Sequence, residues 1–305
     1  MKFDIISDIH CNAWAKDQQV YWQMHKKSDI AIVAGDISHS KAGVLAPELD
    51  RICRAYDEIL FVGGNHDEHQ FDKHSLQDSY QIQYNEVRQF KNLHALGFEG
   101  SKIIGDTAIV GATTWFDMRF VHPTLKTKHH RQNIGQQQLH QTLGESDFHL
   151  STQQIDEIIK TGELEVASIE NQIKTLQADP TIKNIIVVTH HVPHQKFVDW
   201  HLAPKPTSLR NVAATSTIGN SLCHKILHAD IHKKISHWVF GHTHAAKYED
   251  FNDIKYVCNP RGRPGDVNAV EDYRPMMIST QEHRWQKTKT AITAEQELPL
   301  HHRLF

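Results

Sequence analysis

The chain has 305 residues, of which 39% are hydrophobic and 23% are charged, and its formal net charge at pH 7 is -3. This composition is typical of a globular protein with a substantial core. The near-neutral charge argues against a strongly basic nucleic-acid-binding protein. Because no apolar run approaches the ~20 residues that cross a bilayer, we expect no membrane-spanning segment.

The cysteine pattern and the N-terminus indicate a cytoplasmic protein. Cys11, Cys53, Cys223 and Cys258 lie far apart and form no CxxC pair, so we expect four free thiols rather than disulfides. Residues 1–7 lack the long apolar stretch and the small-residue cleavage site of a signal peptide. We therefore predict a cytoplasmic location, and the sequence leaves the oligomeric state open.

Strands and helices alternate in the first 65 residues. Apolar runs predict strands at residues 3–6, 29–34 and 59–62, and the segments between them predict helices over residues 13–27 and 44–57. This alternation is typical of βαβ units. In sheets of this kind, functional side chains collect just beyond the carboxyl ends of the strands.

The middle of the chain is less regular. A hairpin is predicted around Gly105, and the polar segment 113–180 is interpreted as a helical insertion that covers a site. Further elements are predicted as helices near 133–143, 151–160 and 163–177, a strand at 185–188, a loop at 195–222 and a helix at 223–234. A strand that ends at Val239-Phe240 follows, and another is predicted at 255–258. We assign residues 1–285 to one domain and residues 286–305 to a polar tail.

Polar side chains follow five of these strands. They are Asp8, His10, Asp36, Asn65, His66, His190, His242 and His244. If the backbone is extended, residues i and i+2 point to the same side, so His242 and His244 can aim two imidazoles at one place. The same spacing separates Asp8 from His10.

Such a set of oxygen and nitrogen ligands suits borderline metals, such as Mn, Fe, Co or Zn. The candidates are too many for one ion and sufficient for two. Two adjacent ions need a bridging group, for which a carboxylate is well suited, and such a pair polarises a phosphoryl oxygen and lowers the pKa of water. Because the chain has 25 histidines, a single His-x-His pair would carry little weight without the other strand ends.

The ordered motifs resemble those of the calcineurin-like metallophosphoesterase family. They are Asp8-x-His10, Gly35-Asp36, Gly64-Asn65-His66-Asp67, His190 and Gly241-His242-Thr243-His244. The resemblance covers roughly residues 1–265. It implies an α/β (α+β) fold, a four-layer αββα sandwich of two mixed β-sheets flanked by helices.

The resemblance also implies roles for these residues. A first metal ion would be bound by Asp8, His10 and His244. A second would be bound by Asn65, His190 and His242, and Asp36 would bind both ions. His66 matches the family histidine that contacts the phosphate and helps to protonate the leaving alkoxide, a role that suits imidazole. The implied reaction is hydrolysis of a phosphomonoester or phosphodiester by a metal-bridging hydroxide, with two Mn, Fe or Zn ions and a small phosphorylated substrate.

One departure from the family pattern concerns substrate binding. The protein phosphatase branch has a further Asp and Arg after Gly-Asp, whereas Ile37-Ser38-His39-Ser40 follows Asp36. This argues against a protein Ser/Thr phosphatase. The predicted substrate contacts are Asn65, His66, His191, Arg261 and His39. Arg261 is included because it follows a predicted strand near the site and a guanidinium binds phosphate bidentately, and Arg263 is ranked below it. Trp115 and Phe116 are candidates for the pocket wall.

Two alternatives stay open. A nuclease or a cyclic-nucleotide phosphodiesterase would use the same site, and a nuclease would also need a basic groove. A non-catalytic scaffold could keep the fold for protein binding, but such a protein need not retain the complete set of ligands together with His66.

Overall fold

The computed structural model describes residues 1–38, 45–68, 75–120, 122–125 and 150–281. Its first sheet has five strands, in the order β11-β1-β2-β3-β4. The strands of this sheet are β1 (Lys2–Ile6), β2 (Ile30–Ala34), β3 (Glu58–Val62), β4 (Leu93–Ala95) and β11 (Met276–Ser279). Strands β1 to β4 are parallel, and β11 pairs with β1 in the antiparallel direction.

The second sheet has six strands within the described part of the chain, in the order β5-β6-β7-β8-β10-β9. They are β5 (Lys102–Ile104), β6 (Thr107–Ala112), β7 (Asn184–Thr189), β8 (Ile235–Val239), β9 (Lys247–Phe251) and β10 (Ile254–Cys258). The four central strands are parallel, and the edge strands β5 and β9 are antiparallel to their neighbours.

Helices cover the outer faces of the two sheets. The described helices are α1 (Trp22–His25), α2 (Leu45–Cys53), α3 (Leu76–Val87), α4 (Leu96–Glu99), α5 (Thr152–Ala178), α6 (Leu209–Ser216) and α7 (His224–Ala229). Helix α2 packs on the first sheet, and helices α5 and α7 pack on the second.

The core follows the two-residue period of the strands. In β2, Ile32 and Ala34 face the second sheet and pack in one cluster with Ile186 and Val188 of β7. The alternate residues of β2 face outward, toward helix α2. Because both faces of each central strand are covered, the strands are apolar throughout, as is usual for parallel sheets. The predicted four-layer sandwich of two mixed sheets is confirmed.

Several predicted helices differ from the structure. The helix predicted over 13–27 is wrong, because the segment contains only two short 3-10 turns (Cys11–Ala13 and Lys16–Gln18) and α1. The backbone is extended at Ala15 and Gln19 between these pieces. The helix predicted over 223–234 is α7, which ends at Ala229, and that predicted over 44–57 is α2. The predicted helix 133–143 and the tail 286–305 lie outside the described residues.

The helices predicted over 151–160 and 163–177 are a single helix, α5. Gly162, at the expected break, serves close packing instead, because a Cβ there would lie 2.2 Å from the main-chain oxygen of Trp115. The C-terminal half of α5 buries Val166 and Ile169 against the second sheet. The N-terminal half buries Ile158 beside Trp115. Within the described part of the predicted insertion, the N-terminal half of α5 therefore packs beside Trp115, and its C-terminal half is a layer of the sandwich.

The cysteine prediction is confirmed, since all four thiols are free. Within the described residues, no helix has both the length and the apolar character needed to cross a bilayer.

The packing between the sheets can be tested with Ile186→Ala. Ile186 is 0% exposed, so we expect the free energy of unfolding to fall by about 2–5 kcal/mol in urea denaturation, owing to lost transfer energy and a cavity. Ile231→Ala makes the same chemical change at a residue that is 74% exposed. It should change the free energy of unfolding by less than about 0.5 kcal/mol. Equal effects of the two substitutions would contradict the assigned core.

Candidate metal centre

The loops that follow β1, β2, β3, β7 and β8 meet at one edge of the sandwich. Main-chain hydrogen bonds join them directly. The amide of Asp8 donates to the oxygen of Gly35 at 2.9 Å, and the amide of His10 donates to the oxygen of Asp36 at 3.0 Å. The amide of Gly241 donates to the oxygen of His190 at 3.0 Å, which joins the loops of the second sheet.

Two groups of potential metal ligands lie at this edge. In the first group, one side-chain atom from each of Asp8, His10, Asp36 and His244 lies within 4.8 Å of the others. The Nε2 atoms of His10 and His244 are 2.8 Å apart. An oxygen of Asp36 lies 3.7 Å from Nε2 of His10, and an oxygen of Asp8 lies 3.7 Å from Nε2 of His244.

The second group contains Asp36, His190 and His242, whose ligand atoms lie within 4.8 Å of one another. Oδ2 of Asp36 is 3.4 Å from Nε2 of His190. Oδ1 of Asn65 lies 2.9 Å from Nε2 of His190 and 3.0 Å from Nδ1 of His242. Asp36 is thus common to both groups, and the structure brings together all seven residues predicted as ligands.

The chemistry of these residues fits a metal-binding site. Oδ2 of Asp8 is buried and has no hydrogen-bond partner among the described residues, and a buried carboxylate oxygen normally needs a partner. The nitrogens of His10 and His244 point at each other, and a cation between ligands of this kind would satisfy both. Mixed carboxylate, amide and imidazole donors are typical of borderline divalent and trivalent metals.

Metal binding requires neutral imidazole and ionised carboxylate, and the pKa values of the candidate ligands shift in both directions. Burial raises the pKa of Asp8. Burial opposes protonation of His190, but the neighbouring Asp36 outweighs it and raises the pKa of His190 to about 10.

The other pKa shifts favour the binding forms. Burial lowers the pKa of His10 to about 2. Burial, together with His191 and His190, holds the pKa of His242 well below its usual value. Burial alone would raise the pKa of Asp36, but the adjacent imidazoles of His190 and His66 outweigh it, so that this pKa is lowered.

The ligand residues have an uncommon backbone conformation. Positive φ angles occur at Asp8 (48°), His10 (45°), Asp36 (56°), His242 (72°) and His244 (45°). The extended backbone assumed for the two i, i+2 pairs is therefore wrong, and the pairs converge through left-handed turns instead. Such conformations cost roughly 1–3 kcal/mol each and persist where the surrounding structure imposes them, as at functional sites.

Two glycines leave room for the crowded centre. A Cβ at Gly64 would lie 2.2 Å from Oδ1 of Asp36. A Cβ at Gly241 would lie 2.7 Å from the main-chain oxygen of Ala34 and 2.8 Å from Oδ2 of Asp8. The glycine of the Gly-His-Thr-His motif is thus required by close packing against the first ligand group.

Residues around the ligands hold them in place. Nδ1 of His190 contacts the oxygen of Ala34 at 2.9 Å, and Nδ1 of His244 contacts Oδ2 of Asp266 at 2.6 Å. In each case the other ring nitrogen, Nε2, is directed at the centre, an arrangement that fixes the orientation of metal-binding histidines. Asp67 accepts hydrogen bonds from the main-chain amides of Ser38 and Gly64 at 3.0 and 3.1 Å, so it supports its loop.

Comparison with known proteins identifies the family. A sequence model described as calcineurin-like phosphoesterase matches residues 1–246. This chain belongs to the calcineurin-like phosphoesterase family. Its resemblance to that family is therefore confirmed.

One protein sequence and one solved structure also match most of the chain. An uncharacterized protein of Acanthamoeba polyphaga mimivirus is 26% identical over 282 residues, which cover 88% of this chain and 93% of the relative. The crystal structure of the phosphopantetheinyl hydrolase PptH from Mycobacterium tuberculosis aligns with a TM-score of 0.61 at 15% identity, and covers 92% of this chain and 97% of the hydrolase. The second match shows that the fold is shared.

A cavity of about 560 Å³ opens onto the candidate metal centre of this family member. Of the predicted substrate contacts, Asn65, His66 and His191 line it. Trp115 and Phe116 form part of its wall, as the sequence suggested. His39 lies outside the described residues.

Arg261, another predicted substrate contact, is placed elsewhere. It is 1% exposed, and its guanidinium stacks on Trp14 at 3.8 Å from the ring centroid. The same guanidinium donates to the main-chain oxygens of Gln18, Val270 and Glu271. These contacts give Arg261 a role in loop packing, and the prediction of substrate contact finds no support in its surroundings.

Arg263 and Asp266 line the cavity instead. Nη2 of Arg263 lies 2.5 Å from Nε2 of His66, and the amide of Arg263 donates to Oδ2 of Asp266 at 2.7 Å. Asp266 therefore joins this turn to His244. Sequence reasoning ranked Arg263 below Arg261 and missed Asp266. The available signal was the Gly262-Arg263-Pro264-Gly265 segment, which is typical of a tight turn at a strand end.

The packing of the centre can be tested with Gly241→Ala. We expect this change to displace the loop that carries His242 and His244, and to reduce the metal content after purification in Mn²⁺, measured by plasma mass spectrometry. Gly97→Ala is the matched control, because the Cβ there meets its nearest neighbour at 3.7 Å, and it should retain the parent metal content. A full metal complement in Gly241→Ala would contradict the assigned packing.

Proposed function

We propose that this family member is a dinuclear metal-dependent phosphoesterase that hydrolyses a small phosphorylated substrate. The observation that carries the proposal is the position of Asp36, whose carboxylate belongs to both groups of converging ligand atoms. A carboxylate can offer one oxygen to each of two ions, and dinuclear sites of this kind serve phosphoester hydrolysis.

The proposed ligands of the first ion are Asp8, His10 and His244. Those of the second are Asn65, His190 and His242, and Asp36 is shared. When bound, the two ions supply Lewis acidity toward the phosphoryl group and a water of lowered pKa as the nucleophile. Manganese, iron and zinc all suit this donor set.

His66 and Arg263 are the residues that we propose to contact the phosphoryl group. The main-chain amide of His66 donates to Oδ1 of Asp36 at 2.8 Å, and the centroid of the His66 ring lies 5.2 Å from that of the His10 ring. The Nε2 atom of His66 lies against the guanidinium of Arg263, so one phosphoryl group can contact both. His66 would donate a proton to the leaving oxygen, and Arg263 would bind the non-bridging oxygens.

The alternatives are less well supported. A nuclease needs several cations along its groove, and Arg263 is the single Lys or Arg among the described residues that line this cavity. A non-catalytic scaffold leaves the strained and complete ligand set unexplained. The M. tuberculosis neighbour is named for a phosphopantetheinyl substrate, a small phosphorylated group, in line with a small-molecule substrate. The cytoplasmic location stays a prediction.

The role of Asp36 can be tested with Asp36→Asn, assayed on p-nitrophenyl phosphate and its bis ester with Mn²⁺ added or chelated. Loss of the bridging charge should lower kcat/KM by on the order of 10³-fold or more, since metal ions supply several kcal/mol. Asp29→Asn, at a side chain that is 71% exposed, should behave like the parent. Turnover without metal, or unchanged turnover in Asp36→Asn, would contradict the proposal.

The role of Arg263 can be tested with Arg263→Ala. Loss of one charged hydrogen bond to phosphate should lower kcat/KM by roughly 10- to 100-fold, with partial recovery in Arg263→Lys and an unchanged metal content. Arg274→Ala is the control, because that side chain is 60% exposed. If Arg263→Ala matches the control, Arg263 does not bind the substrate.

A further inference from the structure

The cavity at the metal centre has two chemically different ends. One end contains the ligands and His66. The other is lined by apolar side chains, which are Trp115, Phe116, Leu150, Ile158, Pro204 and Ala214, and the lining also includes Thr217, whose hydroxyl donates to the main-chain oxygen of Ala214. A phosphoryl group held at the first end would therefore place the rest of the substrate against an apolar wall.

This wall is fixed by its own contacts. Trp115 donates its indole N–H to Glu68 at 3.1 Å and to the hydroxyl of Tyr80 at 2.7 Å. Its main-chain amide donates to Glu165 of helix α5 at 3.1 Å. Trp115, Phe116, Leu150 and Ile158 belong to one buried cluster. A preformed apolar wall binds an apolar group without the entropic cost of ordering the site.

The charges of the lining suit a single phosphoryl group. Arg263 is its one Lys or Arg side chain within the described residues, and Asp36 and Asp266 are its acids. With Asp36 assigned to the ions, Arg263 can pair with one phosphoryl group. A second phosphate would meet apolar side chains, where burial of an unpaired charge is strongly unfavourable.

His191 adds a polar atom to the apolar end. Its Nε2 atom is buried without a hydrogen-bond partner among the described residues. The centroid of its ring lies 5.3 Å from the ring centroid of Trp115 and 4.6 Å from that of His242. Because this Nε2 atom is enclosed by the protein, it is not open to the substrate, and the wall offers the substrate contact mainly to carbon.

We propose that the substrate is the phosphate ester of an apolar alcohol, with one phosphoryl group and an uncharged aromatic or medium-chain aliphatic remainder. This inference rests on the proposed function and specifies its substrate class. It places nucleotides, polyphosphates and phosphoproteins among the poor substrates, because each carries charge or polar groups where the wall is apolar.

The test uses a series of n-alkyl phosphates from methyl to octyl, assayed with the Mn²⁺-loaded protein. Each added methylene should raise kcat/KM about threefold to fourfold until the cavity is filled. Propyl phosphate should exceed glycerol 1-phosphate, which has the same chain length with two added hydroxyl groups. A flat series, or a preference for glycerol 1-phosphate, overturns the inference while hydrolysis itself upholds the proposed function.

A variant pair locates the effect. Ala214→Leu narrows the apolar end and should lower the octyl-to-methyl ratio of kcat/KM by tenfold or more. Ala167→Leu makes the same change at an exposed position of helix α5 and should keep the parent ratio. If Ala214→Leu also keeps the parent ratio, the apolar group lies elsewhere and the inference is wrong.

Binding of non-hydrolysable n-alkylphosphonates, measured by calorimetry, separates this inference from the proposed function. Affinity that rises with chain length while no ester is hydrolysed would reject the proposed function and support the apolar subsite. Affinity that is independent of chain length would reject the subsite, whatever the activity.

Discussion

The carboxylate of Asp36 is the constraint on which the rest of the centre depends. It is 1% exposed, it lies in both ligand groups, and it accepts the amide of His66. The absence of a side chain at Gly64 leaves room for it. Burial of Asp36 beside Asp8 is costly unless cations compensate the charge. Metal binding is therefore expected to stabilise the folded protein as well as to supply the chemistry.

The two-sheet sandwich explains how distant segments reach this carboxylate. Three loops come from the first sheet and two from the second, and a bridge between Ser7 and Pro260 joins the sheets beside the centre. Main-chain hydrogen bonds between the loops impose the left-handed backbone at Asp8, His10 and Asp36. The wall formed by Trp115 then turns a metal site into a cavity with a polar and an apolar end. The fold, the left-handed backbone and the cavity thus all arrange side chains around Asp36.

The strands and the convergence of the candidate ligands were predictable because the polar motifs follow apolar runs at the strand ends, and the order of the motifs is highly specific. The backbone conformation of the residues that carry these side chains was not predictable. Side chains of residues i and i+2 in extended backbone share one side, yet His242 and His244 converge through positive φ angles. The positions of Arg261 and Arg263 were also not predictable from the sequence. Gly262, at a φ of 75°, redirects the chain between them, so that Arg261 packs on Trp14 and Arg263 meets His66. Neither composition nor periodicity specifies that turn.

The central claim is that two ions share Asp36, and anomalous diffraction from crystals grown with Mn²⁺ tests it most directly. The account predicts two anomalous peaks about 3.5–4 Å apart, with one oxygen of Asp36 directed at each. One peak lies beside His10 and His244, and the other beside His190 and His242. A single peak, or two peaks of which neither contacts Asp36, would contradict the account.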